Sequence, residues 1–176
     1  MWKRALPIVL AALFAIVAAR ATTGSGGSTG PVGATVVRPV DGDTIRVEAG
    51  GRSFSVRLLG IDTPETHRPG TPVECGGLEA SANMARLARA GERVTLEPDP
   101  TQDRVDRYGR LLAYVRLPDG TLVEDAQLAG GWATVYVYGD HPVRRYGQFV
   151  RDQAAARQAG RGVWRECGGD FHSSRR

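Results

Sequence analysis

Apolar and polar residues alternate in the two segments on either side of Gly50-Gly51, and this pattern restricts the fold of the chain more than any other feature of its sequence. Five apolar residues alternate there with mainly polar neighbours: Ile45, Val47, Phe54, Val56 and Leu58. A period of two is typical of β-strands, and a two-residue glycine connection is typical of a tight hairpin. The sequence therefore predicts a β-hairpin, in which Thr44 faces Arg57.

Short strand and helix patterns continue along the rest of the chain. Alternation predicts further strands over residues 35–38, 93–97, 111–117 and, with an aromatic character, 133–138. Apolar and alanine-rich stretches at helical spacing predict helices over residues 78–90, 122–128 and 143–160. Short strands with helices between and after them predict an α+β fold, namely a five-stranded OB-type β-barrel that carries about three helices.

The start of the chain has a different composition from the rest. A basic stretch, an unbroken apolar run over residues 5–19 and the small-residue site Ala19-Arg20-Ala21 are typical of a secretory signal. We therefore predict a signal peptide at 1–21, a flexible linker at 22–33, a folded domain at 34–167 and a C-terminal tail at 168–176. The apolar run is short for a membrane span, which needs about 20 residues. An uncleaved membrane anchor remains an alternative to secretion.

The overall charge says little about the ligand. The chain carries a net charge of +4, but Lys3, Arg4 and Arg20 lie in the predicted signal, where there is no acidic residue. The remaining residues are close to neutral, so bulk attraction to nucleic acid is not indicated. An interaction with nucleic acid must instead be argued from the positions of individual arginines.

The chain has two cysteines, Cys75 and Cys167. In an oxidising compartment an even number of cysteines favours a disulfide, and this one would close a loop of about 90 residues, for which the chain-entropy model gives about 4–5 kcal/mol. Two unrelated thiols are the alternative. A zinc site is disfavoured, because no histidine lies at ligand spacing from either cysteine.

Acidic residues gather at the open end of the predicted hairpin. Asp41-Gly-Asp-Thr44 precedes its first strand, Arg57 ends the second, and Ile61-Asp-Thr-Pro-Glu65 follows directly. Paired carboxylates near a backbone carbonyl suit calcium, which takes about six to eight oxygen ligands in irregular geometry. Taken singly, Asp-Gly is typical of a turn and Thr-Pro-Glu of a turn or helix start. A buried Arg57 requires anionic partners in either case.

A second polar motif, Asp106-Arg-Tyr-Gly-Arg110, leads directly into a predicted strand. The planar fork of Arg110 suits a phosphate, and Tyr108 can bind a phosphate or stack on a base. Tyr136 and Tyr138 lie on one face of the aromatic stretch and could form a platform for unpaired bases. A charged loop and packing at the edge of the barrel are the alternatives.

The two motifs together resemble a known family. Asp41-Gly-Asp-Thr-Ile-Arg-Val47, followed after nine residues by Arg57-Leu-Leu-Gly-Ile-Asp-Thr-Pro-Glu65, is similar to the signature of thermonucleases of the staphylococcal-nuclease type. Asp106-Arg-Tyr-Gly-Arg-Leu-Leu-Ala-Tyr-Val115 is similar to that family's second signature. The chain departs at Arg116, where the family prefers an aromatic residue. The resemblance covers nearly the whole predicted domain, including Gly162-Val-Trp164.

The resemblance implies an OB-fold and a calcium site. Asp43 and Asp62 are implied as carboxylate ligands of the ion, and Thr63 as a ligand through its backbone carbonyl. Glu65 is implied to orient and deprotonate the attacking water. The calcium ion and the water then lie at the open end of the hairpin.

The resemblance also implies how the substrate is held. Arg57 and Arg110 are implied to clamp the phosphate, and Tyr108 and Tyr136 to contact the bound nucleotide. The implied function is that of a secreted, calcium-dependent endonuclease that hydrolyses DNA and RNA and leaves 3′-phosphate ends. The implied binding partner of the protein is the nucleic acid, and the protein is expected to be a monomer. The three histidines of the chain have no implied role.

Two other functions compete with this one. An OB barrel can bind single-stranded nucleic acid without any chemistry, and a calcium-stabilised structural protein could use the same carboxylates. A non-catalytic binding module would not need the complete set of implied catalytic and metal-binding residues. A calcium-stabilised structural protein would not need Arg57 and Arg110 beside the carboxylates. All of these residues are present, so the sequence favours catalysis.

Overall fold

A computed structural model of the protein describes residues 30–66 and 70–174. The predicted signal, most of the predicted linker, His67 and the last two residues lie outside these ranges. The strands are β1 (Val32–Pro39), β2 (Thr44–Ala49), β3 (Arg52–Leu58), β4 (Ile61–Asp62), β5 (Arg93–Glu97), β6 (Leu111–Arg116) and β7 (Thr134–Val135). The helices are α1 (Gly77–Leu87), α2 (Val123–Ala129), α3 (Tyr146–Gln158) and α4 (Val163–Glu166).

Five of the strands close a barrel in the order β1-β2-β3-β6-β5. All neighbours are antiparallel except β3 and β6, which run parallel. A barrel leaves no unpaired sheet edge, which suits a small domain. The predicted five-stranded barrel of α+β class is confirmed. The structure contains the three predicted helices and, in addition, the short helix α4.

The predicted hairpin has the expected register. Thr44 faces Arg57, and the backbone N–H of Leu58 donates to the carbonyl of Asp43 at 2.9 Å. Gly50 and Gly51 both have positive φ, 56° and 72°, which is the geometry that a two-residue hairpin turn requires. The turn therefore fixes which residues of β2 and β3 meet at the open end of the hairpin.

The barrel interior is apolar. Its inward-facing strand residues are buried: Ile45, Val47, Val56, Leu58, Leu96 and Val115. Met84 of α1 and Leu128 of α2 belong to the same core cluster. Burying a side chain of this size stabilises the fold by about 1.5–3 kcal/mol, so the core gives the open end of the hairpin a rigid base.

Residues 133–138 do not form a barrel strand, and that prediction is wrong. Only β7 is extended there, and it pairs with β4 in a separate two-stranded sheet. The backbone N–H of Tyr136 donates to the carbonyl of Gly60 at 2.9 Å, after which the chain continues without strand pairing as far as an isolated bridge at Tyr138. The aromatic alternation reflects two exposed tyrosines, Tyr136 and Tyr138, and not a strand inside the sheet.

The helices pack against one another and against the strands. Helix α2 packs against α1, α3 and β6, and the predicted disulfide joins Cys75, just before α1, to Cys167, just after α4, with an S–S distance of 2.04 Å. No helix in the part of the chain that the structure describes has the length and apolar character needed to cross a membrane. The disulfide thus links the two ends of the helical layer.

Candidate active site

Arg57 lies at the centre of a charged cluster at the open end of the hairpin. Its Nε is 3.0 Å from Asp43 Oδ1, and its Nη2 is 2.7 Å from Asp62 Oδ1. Its Nη1 donates to the carbonyls of Leu58 and Ile61, each at 2.7 Å. The side chain is only 13% exposed. Four acceptors therefore fix the plane of a nearly buried guanidinium.

Asp43 is the most buried acid of the cluster. Its Oδ2 accepts hydrogen bonds from the backbone N–H and the hydroxyl of Thr63, both at 3.1 Å. Its Oδ1 accepts one from the Thr44 hydroxyl at 3.0 Å. The turn before β2 and the segment after β4 are thus joined through one carboxylate, which places Asp43 beside Asp62 and Thr63 as predicted.

Asp41 extends the cluster beyond the predicted residues. Its Oδ1 accepts the backbone N–H of Asp43 at 3.0 Å, which confirms that it shapes the turn. Burial, followed by the charge of Asp43, raises the pKa of Asp41 to about 7. Burial is the larger cause of this shift, and the contribution of Asp43 shows that Asp41 lies beside another acid, where a cation is favoured.

Burial and the neighbouring charges also shift the pKa values of Asp62 and Arg57. Burial, aided by the charge of Asp43, raises the pKa of Asp62 above its ordinary value, although Arg57 opposes the shift. Burial lowers the pKa of Arg57, but Asp43 and Asp62 outweigh it and hold that pKa above the ordinary value. Arg57 is therefore charged at neutral pH, and its single positive charge does not neutralise all of the acids around it.

The acids present fit a calcium ion as part of its ligand set. No three His, Cys, Asp or Glu side chains within residues 30–66 and 70–174 converge as a metal cluster by themselves. Asp43 and Asp62 nevertheless bind the same guanidinium, so two carboxylates share the single positive charge of Arg57. Calcium accepts carbonyls and waters as its remaining ligands, so the donors suit calcium better than a metal that needs several side chains.

Glu65 follows this cluster on the segment after β4. Its charge contributes to raising the pKa of both Asp41 and Asp62, so it lies within electrostatic reach of the acids. Its backbone N–H donates to Glu74 Oε2 at 2.7 Å, and its carbonyl accepts from the N–H of Glu74 at 2.9 Å. The main chain of Glu65 is therefore held in place while its side chain is half-buried.

Arg110 approaches the same region from the start of β6. Its Nε donates to Asp106 Oδ2 at 2.7 Å, and its Nη1 is 3.5 Å from the Thr44 hydroxyl. Although burial opposes the shift, hydrogen bonds from Arg110 and Tyr108 lower the pKa of Asp106. The charged Asp106 orients Arg110, whose guanidinium carbon lies 5.3 Å from the Tyr108 ring centre.

An open groove of about 400 Å³ joins these groups. It is lined by five of the predicted site residues: Arg57, Asp62, Tyr108, Arg110 and Tyr136. Tyr108 is 67% exposed and Tyr138, which also lines the groove, 65%. Asp43, Thr63 and Glu65 are not part of its lining. Asp43 contacts the lining through Arg57, and Thr63 binds Asp43. The groove combines two guanidiniums with aromatic rings, a combination suited to a single nucleic-acid strand.

Four residues near the site received no role from the sequence. Asp41 belongs to the first acidic motif but has no predicted ligand role, and the structure places it in hydrogen-bond contact with the main chain of Asp43. His172 lies 3.6 Å from Asp62 Oδ2 through its Nε2, and Glu74 holds the main chain of Glu65. Gln127, fully buried, donates to the carbonyl of Gly42. His172 and Gln127 come from distant parts of the chain, and Glu74 lies nine residues after Glu65. No local pattern marks any of the three.

The chain matches the family model described as staphylococcal nuclease homologue over residues 55–166. The matched region contains Arg57, Asp62, Glu65 and Arg110. The chain belongs to this family, in agreement with the resemblance of its two motifs.

Curated relatives include several enzymes of this kind. The chain is 42% identical over 139 residues to the SPbeta prophage-derived endonuclease YokF of Bacillus subtilis, a match that covers 78% of this chain and 45% of that protein. It is 41% identical to endonuclease YncB of the same species, over 78% of this chain and 64% of that protein. It is 46% identical to the thermonuclease of Staphylococcus intermedius over 48% of each. The chain thus spans about half to two thirds of the length of these relatives.

Proposed function

We propose that this protein is a calcium-dependent nuclease that hydrolyses phosphodiester bonds of DNA and RNA and leaves 3′-phosphate ends. The observation that carries the proposal is the position of Arg57, which binds Asp43 and Asp62 on one side and lines a groove with Arg110 on the other. The names of the curated relatives support cleavage of nucleic acid as the activity. The proposed partner is the nucleic acid alone, bound by a monomer.

The metal is proposed to be held by Asp43, Asp62 and the backbone carbonyl of Thr63. Once bound, calcium supplies positive charge that offsets the negative charge developing on the phosphate. The charges of Asp43 and Glu65 contribute to raising the pKa of Asp41 and Asp62, so binding of a cation offsets the repulsion among these acids. We expect Asp41 to strengthen this attraction.

The two arginines, which both line the groove, are proposed to bind the phosphate together. A phosphodiester repels nucleophiles because it is itself negative, and guanidiniums favour the more negative transition state. Arg57 is fixed by its acids and carbonyls, and Arg110 is fixed by Asp106. Little reorganisation is then needed when the charge develops.

Glu65 is proposed to take a proton from the attacking water. Its main chain is held at both polar groups, and its carboxylate lies within electrostatic reach of Asp41 and Asp62. Proton transfer to a positioned carboxylate contributes about 10²–10⁴-fold to a rate. Removing this carboxylate is therefore a sharper test than removing a residue that only binds substrate.

The tyrosines of the groove are proposed to bind the nucleotide. Tyr108 and Tyr136 contact the base or the phosphate, and every base offers a face for stacking, so little sequence preference is expected. Arg110 lies against the Tyr108 ring. The phosphate site and the stacking surface are consequently parts of one groove.

The protein is also proposed to act outside the cytoplasm. The predicted signal at residues 1–21 supports export, and the Cys75–Cys167 disulfide suits an oxidising compartment. Secretion and retention by an uncleaved membrane anchor are distinguished by whether the mature protein appears in the medium.

The test is steady-state cleavage of single-stranded DNA by Glu65→Gln, Arg57→Lys and Arg110→Lys, with Arg46→Lys as the matched control. Arg46 lies on β2 with its Nε bonded to the Ser53 hydroxyl at 3.0 Å, outside the groove lining. We expect Glu65→Gln to reduce kcat by about 10²–10⁴-fold. The lysine variants should also lose much of the rate, because lysine lacks the planar fork, whereas the control should cleave normally.

Two results would contradict the proposal. If the three folded variants cleave at the parental rate, these residues do not form the active centre. If the parent binds single-stranded DNA tightly but never cleaves it, the protein is a binding module instead. Gel analysis of the products before and after phosphatase treatment tests the predicted 3′-phosphate ends.

A further inference from the structure

The last described residues fold back against the segment that carries Glu65. Phe171 is 5% exposed and packs edge-to-face on Trp164, with ring centroids 5.0 Å apart. The backbone N–H of Cys75 donates to the carbonyl of Ser173 at 2.7 Å, and Ser174 forms an isolated β-bridge with Glu74. We refer to residues 168–174 as the C-terminal segment. It is packed against the domain, and its backbone reaches the residues directly before α1.

The disulfide anchors the C-terminal segment at its root. Cys167 immediately precedes the segment, and its partner Cys75 immediately follows Glu74. Packing around the bridge is tight, because a Cβ added to Gly76 would lie 2.6 Å from Val163 Cγ2. The covalent link therefore holds the start of the segment and Glu74 together.

Glu74 connects this assembly to Glu65. It is 4% exposed, and its Oε2 accepts the backbone N–H of Glu65 at 2.7 Å. In return its own backbone N–H donates to the carbonyl of Glu65 at 2.9 Å. Both polar groups of the Glu65 main chain are thus bound by a single residue that is itself buried.

The C-terminal segment also reaches the acids of the groove. His172 lies between two carboxylates, with Nδ1 3.4 Å from Glu74 Oε2 and Nε2 3.6 Å from Asp62 Oδ2. One side chain of the segment therefore touches both the residue that holds Glu65 and a residue that lines the groove.

We propose that Glu74 is a positioning residue for Glu65, and that the disulfide-anchored C-terminal segment holds Glu74 in place. This inference rests on the proposed nuclease function, in which Glu65 acts on the attacking water. A group that transfers a proton must be held close to its productive geometry by residues that are themselves fixed. Glu74, the disulfide and the C-terminal segment provide three successive supports of this kind.

The first test compares Glu74→Ala, Glu74→Gln and the control Glu97→Gln, whose parent residue pairs with Arg116 away from the groove. We expect Glu74→Ala to lower kcat by about 10–100-fold, with KM changed by less than about threefold. Glu74→Gln should recover most of the rate, since its amide oxygen can still accept the Glu65 N–H. Glu97→Gln should leave the rate unchanged.

The second test removes the outer supports. A chain that ends at Cys167 and the double variant Cys75→Ser, Cys167→Ser should both show the loss in kcat. Reduction of the parent with a phosphine should reproduce that loss, while the double variant should not respond to the reductant. A reduced parent that keeps its full rate would overturn the role of the disulfide.

A measurement that does not depend on cleavage separates positioning from general stability. Hydrogen exchange of residues 62–66 should be faster in Glu74→Ala and in the shortened chain, while exchange of β2 stays as in the parent. Parental cleavage by Glu74→Ala, or equal acceleration in β2, would overturn the inference. A parent that cleaves nothing would contradict the proposed function, and exchange alone would then decide whether Glu74 and the segment hold this loop.

Discussion

Gln127 donates its side-chain amide to the carbonyl of Gly42 at 2.5 Å, across 85 residues of sequence. The same amide is 3.2 Å from the carbonyl of Ala80, and its oxygen accepts from Asn83 at 2.6 Å. Gly42 separates Asp41 from Asp43. A fully buried glutamine on α2 therefore holds the turn that presents two acids to the candidate metal site.

Replacing Gln127 with leucine should destabilise the protein and weaken calcium binding. The change keeps a similar volume but leaves the Gly42 carbonyl without this donor, and an unsatisfied buried group costs about 1–3 kcal/mol. Urea denaturation measures the stability, and calorimetric titration measures calcium affinity. Gln148→Leu, on the partly exposed α3, is the matched control. Equal calcium affinity in Gln127→Leu and the parent would contradict this role.

Gly42→Ala should disturb the site by a different route. The added Cβ would lie 2.6 Å from Thr63 Oγ1 and 3.0 Å from Ala80 Cβ. Thr63 must then move, although both its N–H and its hydroxyl bind Asp43. We expect calcium affinity to fall by about tenfold or more, since overpacking costs about 1–3 kcal/mol. Gly33→Ala, where the Cβ meets nothing within 4 Å, serves as control, and a tight calcium complex of Gly42→Ala would refute the prediction.

The hairpin and its charged end could be predicted from the sequence because they depend on local spacing. The glycine turn fixes the register, and the register brings Thr44 opposite Arg57. The contacts of Gln127 and of the C-terminal segment could not be predicted, since they arise only when distant elements pack together. The alternating pattern at residues 133–138 gave a wrong strand prediction. Exposed tyrosines that line a groove alternate with other residues in the same way as the residues of a strand.

Glu124→Gln should stabilise the protein at neutral and alkaline pH. Glu124 is fully buried and binds the backbone N–H of Val115 at 3.1 Å. Burial raises its pKa well above the ordinary value, so the folded state keeps a proton that the unfolded state releases. Stability is therefore lost as pH rises above the ordinary glutamate pKa.

The variant and the parent should differ little at about pH 4, where glutamate is largely protonated in both states. The variant should have the higher Tm at pH 8, by about 4 °C for each 1 kcal/mol gained. Calorimetry at several pH values measures the difference, and Glu48→Gln on the exposed face of β2 is the control. A Tm difference that does not change with pH would contradict the buried-acid explanation.

Tyr136→Ala should weaken substrate binding more than it slows the chemical step. Tyr136 lines the groove and is 43% exposed, and loss of one stacked base costs about 1–3 kcal/mol. KM for single-stranded DNA should rise by about 5–150-fold at that cost, with a smaller change in kcat. Tyr136→Phe should behave like the parent if stacking is the cause, and an unchanged KM in Tyr136→Ala would exclude the ring from the binding site.

The requirement for calcium tests the central claim most directly. Cleavage of single-stranded DNA by the purified protein is measured with calcium, with an excess of chelator, and with magnesium alone. We predict a full rate in calcium, none in chelator, and poor recovery in magnesium, which demands octahedral geometry. A full rate in excess chelator would contradict the proposal that Asp43 and Asp62 hold a catalytic calcium ion.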